Sequence, residues 1–93
     1  MDQVDFSKRF SPKPDVLVRE LDGEAVILNL GDESYYGLNE SGTRMWQTLI
    51  NAASIDDATK ELLNEYEVEE QTLRADLAKL IGSLLERKMV ELT

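Results

Sequence analysis

The hydrophobic pattern of this chain changes period once, at Asn39-Glu40-Ser41. Before that point apolar residues come in short runs punctuated by turn signals: Val16-Leu17-Val18, then Asp22-Gly23, Ala25 to Leu30, Gly31-Asp32, and Ser34 to Leu38. After it they recur every three to four residues. Strands present alternate residues to one face and helices roughly every 3.6th, so the pattern predicts a sheet followed by helices. Asp22-Gly23 is the stronger hairpin signal, because glycine accepts positive φ in a two-residue turn, and Gly31-Asp32 is compatible with a second tight turn. The stretch reads as a three-stranded antiparallel meander.

The helical part divides at its caps. Asn39 or Ser41 offers a side-chain acceptor to the first free amides, with Glu40 near the positive helix end. Met45, Trp46, Leu49, Ile50 and Ala53 share one face of a helix from about residue 40 to 52. Ser54-x-x-Asp57 makes a capping box for the next helix, whose core face is Ile55, Ala58, Leu62 and Tyr66. Glu67 to Glu70 break that helix, and a third from about residue 70 to 87 carries Leu73, Leu77, Leu80, Ile81, Leu84 and Leu85. The expected fold class is α+β, winged helix-turn-helix-like, a three-stranded antiparallel sheet followed by three helices. Residues 1–14, rich in Ser, Pro, Lys and Arg, are expected as an extended N-terminal arm that Val4, Phe6 and Phe10 can pin, leaving residues 15–93 as the domain.

Composition narrows the chemistry. Nineteen acidic against ten basic residues leave a net charge of −9, which repels phosphate backbones and anionic lipid. Nucleic acid and membranes are not expected partners. The absence of Cys removes disulfides and thiol nucleophiles, and the absence of His removes the commonest neutral-pH acid–base group. No catalytic residue, metal or cofactor is expected, since Asp56-Asp57 and Glu67, Glu69 and Glu70 are explained as helix-start and linker charge. The polar N-terminus lacks an apolar core of signal-peptide length, so a cytoplasmic protein is expected.

Binding is the role left open. The strand Glu33-Ser34-Tyr35-Tyr36-Gly37-Leu38 comes last in the meander, hence at a sheet edge with unpaired amides and carbonyls. The apolar arc of the third helix spans roughly 140°, wider than the 100° or so that faces one core, which fits a helix buried on two sides or a helix lining a peptide groove. Both faces of the second strand are apolar, Val26, Leu28 and Leu30 on one side and Ala25 and Ile27 on the other, so either the N-terminal arm or a partner chain is expected over the second face. Free edges and spare apolar faces also invite a homodimer. Arg74, Lys79, Arg87 and Lys88 are balanced by Glu69, Glu70, Asp76 and Glu86, which makes a DNA-reading helix-turn-helix a minor alternative.

The segment Tyr35-Tyr36-Gly37-Leu38-Asn39-Glu40-Ser41-Gly42-Thr43-Arg44-Met45-Trp46 resembles the signature of the PqqD-like family: an aromatic strand running into Leu-Asn, a small polar pair with Gly, and a helix bearing Trp. Asp76-Leu77 with Leu80, Ile81 and Leu84 is similar to that family's final helix, and the resemblance covers about residues 12–92. One departure is Lys88, where the family often has a Gly ending the last helix. The resemblance implies a RiPP recognition element, a small non-catalytic domain that binds the leader of a ribosomally made precursor peptide and presents it to a leader peptidase or another modifying enzyme. With no catalytic domain attached, the chain is similar to the stand-alone leader-binding subunits of lasso-peptide systems. The pyrroloquinoline quinone pathway chaperone is the competing assignment. In that reading the leader adds as a fourth strand on Glu33, Ser34, Tyr35, Tyr36, Gly37 and Leu38, with side chains entering a groove against the third helix. Leu73, Asp76, Leu77 and Leu80 are the expected helix contacts, Asp76 being placed to receive an amide or cation; the flank of Arg74 and Ile81 is the alternative.

Overall fold

Asp22 and Gly23 both take positive φ, 56° and 83°, the pair of conformations that folds two strands into a tight hairpin with the natural twist. In this computed structural model, which describes residues 4–93, chain order is β1 (Phe10–Pro12), β2 (Val16–Leu21), β3 (Glu24–Asn29), β4 (Ser34–Leu38), α1 (Glu40–Asn51), α2 (Ile55–Glu65), α3 (Glu70–Glu86) and β5 (Val90–Leu92). Residues 1–3 of the expected arm lie outside the described residues. The fold is α+β: β2, β3 and β4 form a three-stranded antiparallel sheet in that order, and three helices follow.

The turn between β3 and β4 is longer than the tight one expected at Gly31-Asp32. Residues 30–33 make it, and the positive φ falls on Glu33 at 62°. Asp32 Oδ1 holds the start of β4 by accepting from the Ser34 amide at 3.0 Å and its hydroxyl at 2.6 Å. Of the two candidate caps for α1, Asn39 does the work, accepting from the Gly42 amide at 2.8 Å. Ser54 caps α2 through the Asp57 amide at 3.1 Å.

Register sorts the sheet into two faces. Ile27 pairs with Val18 and Tyr36, and Ala25 with Glu20 and Leu38, on the face that meets the helices; Ala25 and Ile27 are buried there. The core continues through Trp46, Leu49, Ile55, Leu62, Leu73, Leu77, Ile81, Leu84 and Met89. Four side chains depart from the helix faces read in the sequence. Ala53 is exposed while Ala52 is buried, Met45 and Ile50 are only half-buried, and Tyr66 is 38% exposed as the C-cap of α2.

A second, two-stranded sheet was not foreseen. β1 pairs antiparallel with β5, Phe10 opposite Leu92 and Pro12 opposite Val90. Arg9 and Thr93 extend the pair with reciprocal backbone bonds of 2.9 and 3.0 Å. Phe10 is buried edge-on against Trp46, ring centroids 5.4 Å apart. Upstream, the Phe6 and Lys8 carbonyls accept from the Asp56 and Ile55 amides at 2.8 and 2.9 Å, satisfying free donors at the start of α2. Among the described residues the N-terminal segment from Val4 onward is spent on the helices and β5, and the outer sheet face keeps Leu30 and Tyr35 64% and 67% exposed. Among the described residues no helix is long and apolar enough to cross a membrane.

Candidate functional site

β4 pairs only with β3, so its other edge carries free backbone amides and carbonyls among the described residues. The pleat then divides its side chains. Ser34, Tyr36 and Leu38 lie toward the helices, half-buried or buried, while Tyr35 and Gly37 alternate onto the outer face and are exposed. Glu33 precedes the strand, in the turn.

Beside this edge runs a cleft of about 270 Å³ lined by Tyr36, Gly37, Leu38, Asn39, Ser41, Gly42, Met45, Asp76 and Leu80. One wall is the strand and the start of α1; the other is α3. A second hollow of about 170 Å³ continues it, sharing Ser41, Met45 and Asp76 and adding Tyr66, Val68 and Leu73. Asp76 thus stands between a mixed cleft and a mainly apolar hollow, exposed and with no ion-pair partner within 4 Å among the described residues.

The expected helix contacts divide accordingly. Asp76 and Leu80 line the cleft with Tyr36 and Leu38, and Leu73 lines the second hollow although it is only 3% exposed. Leu77 is fully buried in the core and lines neither. The alternative flank faces elsewhere: Ile81 is fully buried, and Arg74 is engaged with Asp56 at 3.0 Å, Glu70 at 2.8 Å and the Phe6 ring at 4.8 Å. Met45, Tyr66 and Val68 are cleft residues that periodicity hides, because an apolar residue on a helix face or in a connector reads as core until the neighbouring element is placed.

Electrostatics set the cleft apart from its surroundings. Arg44 pairs with Glu65, whose hydrogen bonds hold that carboxylate below its ordinary range and the guanidinium above its own. Arg74 is likewise pushed up by Glu70 and Asp56. Arg87 instead lies over the Tyr36 ring, 5.2 Å from its centroid. Among the described residues no group of three or more Asp or Glu is placed to hold a metal.

A family model described as Coenzyme PQQ synthesis protein D (PqqD) matches residues 24–90, from the start of β3 to the start of β5. The chain belongs to the PqqD family. Two solved structures with the same fold are similar to it. One is TbiB1 in complex with the TbiA(beta) leader peptide, 26% identical, with a TM-score of 0.81 over 87% of this chain and 94% of that one. The other is lasso peptide synthetase B1 complexed with the leader peptide, 31% identical, with a TM-score of 0.79 over 89% of this chain and 98% of that one. A search of curated proteins returned no match. The family match takes in β4, α1 and α3, the elements that build the cleft, and ends past Lys88, so the non-glycine helix end lies within it.

Proposed function

We propose that this PqqD-family chain is a non-catalytic leader-peptide-binding protein of a RiPP pathway, of the lasso-peptide type. The observation that carries the reading is the free edge of β4 facing a partly apolar cleft against α3, in a fold whose similar structures hold leader peptides. An extended leader adds as a strand along Ser34 to Leu38, and its alternate side chains enter the two hollows. Backbone pairing supplies general affinity; Tyr36, Leu80, Leu73 and Asp76 supply choice. Leu77 supports this wall from beneath. Glu33, Tyr35 and Gly37 contribute backbone and outer-face contacts.

Ordering a flexible leader costs roughly 2–5 kcal/mol or more, so affinity depends on anchored side chains as well as on strand pairing. The bound leader is presented to a leader peptidase or another modifying enzyme, in the cytoplasm where ribosomal precursors are released. Without peptide, the same free edge is available to a second copy of the chain, and the two uses exclude one another.

Capture from a host lysate on immobilised protein, with mass spectrometry of what is retained, tests this directly. A precursor peptide retained by wild type and lost on both Tyr36→Asp and Leu80→Asp columns is the expected result, with helical circular dichroism of both variants nearly unchanged. Retention of nucleic acid or of the chain itself alone defeats the proposal. A second reading, a precursor chaperone in pyrroloquinoline quinone synthesis, is favoured by the description of the matching family model. The identity of the captured precursor separates the two.

A further inference from the structure

Resting on the strand-addition reading, the direction of the cleft and its charges say what kind of peptide it takes. β4 runs from Ser34 to Leu38, and α3 lies alongside in the opposite sense, since Asp76 and Leu80 sit by Leu38 and Met45 whereas Arg87 sits over Tyr36. The two ends of the cleft therefore differ in chemistry. One end is the apolar hollow of Met45, Tyr66, Val68 and Leu73. The other is at Tyr36, whose ring lies under Arg87, an exposed residue with no carboxylate within 4 Å among the described residues, unlike Arg44 and Arg74.

A cation after the last turn of a helix also offsets the helix dipole, which accounts for a charge there but not for its place. Lying over the ring of Tyr36, a cleft-lining residue, the guanidinium is held beside the cleft with its edge of N–H donors without a carboxylate partner among the described residues, as recognition of a carboxylate requires. Lys88 takes φ 57° and lines a separate hollow with Asp15, Asn29 and Asp32, so the cation at Tyr36 is Arg87.

We propose that Arg87 is a specificity residue of the cleft, selecting an acidic side chain near the C-terminal end of the bound segment. An added strand antiparallel to β4, the more stable pairing, enters at the Leu38 end and leaves at the Ser34 end. Its apolar anchor for the Leu73 hollow then precedes the acid. Leu73 and Arg87 are about 21 Å apart along the helix at 1.5 Å per residue, a span covered by about six extended residues. The segment this cleft takes has an apolar residue followed about five or six positions later by Asp or Glu. That preference runs against the net charge of −9 and is local to Arg87.

The experiment is selection from a displayed library of random twelve-residue peptides on the intact chain, on Arg87→Glu, on Arg87→Gln and on Tyr36→Asp, each checked by circular dichroism. On wild type, Asp and Glu should enrich about two- to fivefold at one position C-terminal to an apolar one, the range expected of a single exposed ion pair. On Arg87→Glu the same position should turn to Lys or Arg, and on Arg87→Gln the charge preference should vanish while the apolar one stays. Peptides that depend on Tyr36 but show the same residues on all three Arg87 forms overturn the role of Arg87 and leave the cleft intact. Failure of any peptide to depend on Tyr36 overturns the cleft reading and this proposal with it.

Discussion

Lys88 shows what a single position can hide. The sequence marks it as a departure from a glycine helix stop, yet α3 stops there in full Schellman form: the Met89 amide donates to the Leu84 carbonyl and the Lys88 amide to that of Leu85, both at 3.0 Å, with Met89 buried. Burial of Met89 and the Asn29 Nδ2 bond to the Lys88 carbonyl, 3.4 Å, impose the conformation that the side chain resists. Lys88→Gly is expected to raise stability by about 1 kcal/mol in denaturant titration. Asp32 offers a second measurement at this scale. Its carboxylate is held below the ordinary 3.8 chiefly by the Ser34 hydroxyl and amide. A depressed carboxylate stabilises the fold above its unfolded value and loses that contribution as pH falls through the folded one. Ser34→Ala should move the Asp32 titration, followed by NMR, back up toward 3.8, with the contribution then lost at higher pH. The charge balance of α3 is legible in sequence, but the place of Arg87 over Tyr36 is not, because tertiary packing brings β4 to the end of α3.

Elements were legible in proportion to their length. α1, α2 and α3 run long enough for the 3.6-residue period to repeat, and β2, β3 and β4 are bounded by turn residues. β1 and β5 have three residues each, too few to show alternation, and their partners stand some eighty positions apart in the chain. The joint between sheet and helices was equally invisible. Thr43 is 2% exposed on α1; its hydroxyl accepts from the Ala25 amide at 2.9 Å and lies 3.4 Å from the Leu38 carbonyl as donor. One side chain thus ties α1 to both β3 and β4. Thr43→Val should cost about 1–3 kcal/mol in chemical denaturation, because the Ala25 amide is left buried without an acceptor. Peptide affinity should fall with it, since Leu38 is held by the same group.

At the scale of the molecule, the free sheet edge and the helix opposite it are legible in the sequence, while the closure of the cleft depends on how α2 ends. Tyr66 and Val68 lie beyond its last turn, and only the return of α3 makes them a wall. The core is shared between distant parts of the chain, with Phe10 against Trp46 as its link to the N-terminal segment. Phe10→Ala is expected to destabilise the whole domain by about 3–5 kcal/mol, read as a single cooperative shift in thermal or denaturant unfolding. The pairing of β1 with β5 has a mechanical corollary. Arg9 and Thr93 lie at the same end of that ladder, as do Phe10 and Leu92, so tension on the two ends of the chain loads its hydrogen bonds one after another rather than all at once. Pulled by its ends, the protein first loads the Phe6 and Lys8 bonds to the start of α2 and the Phe6 contact with Arg74 of α3, and the β1–β5 ladder then opens like a zipper at low force, with β4 inside the loop it ties.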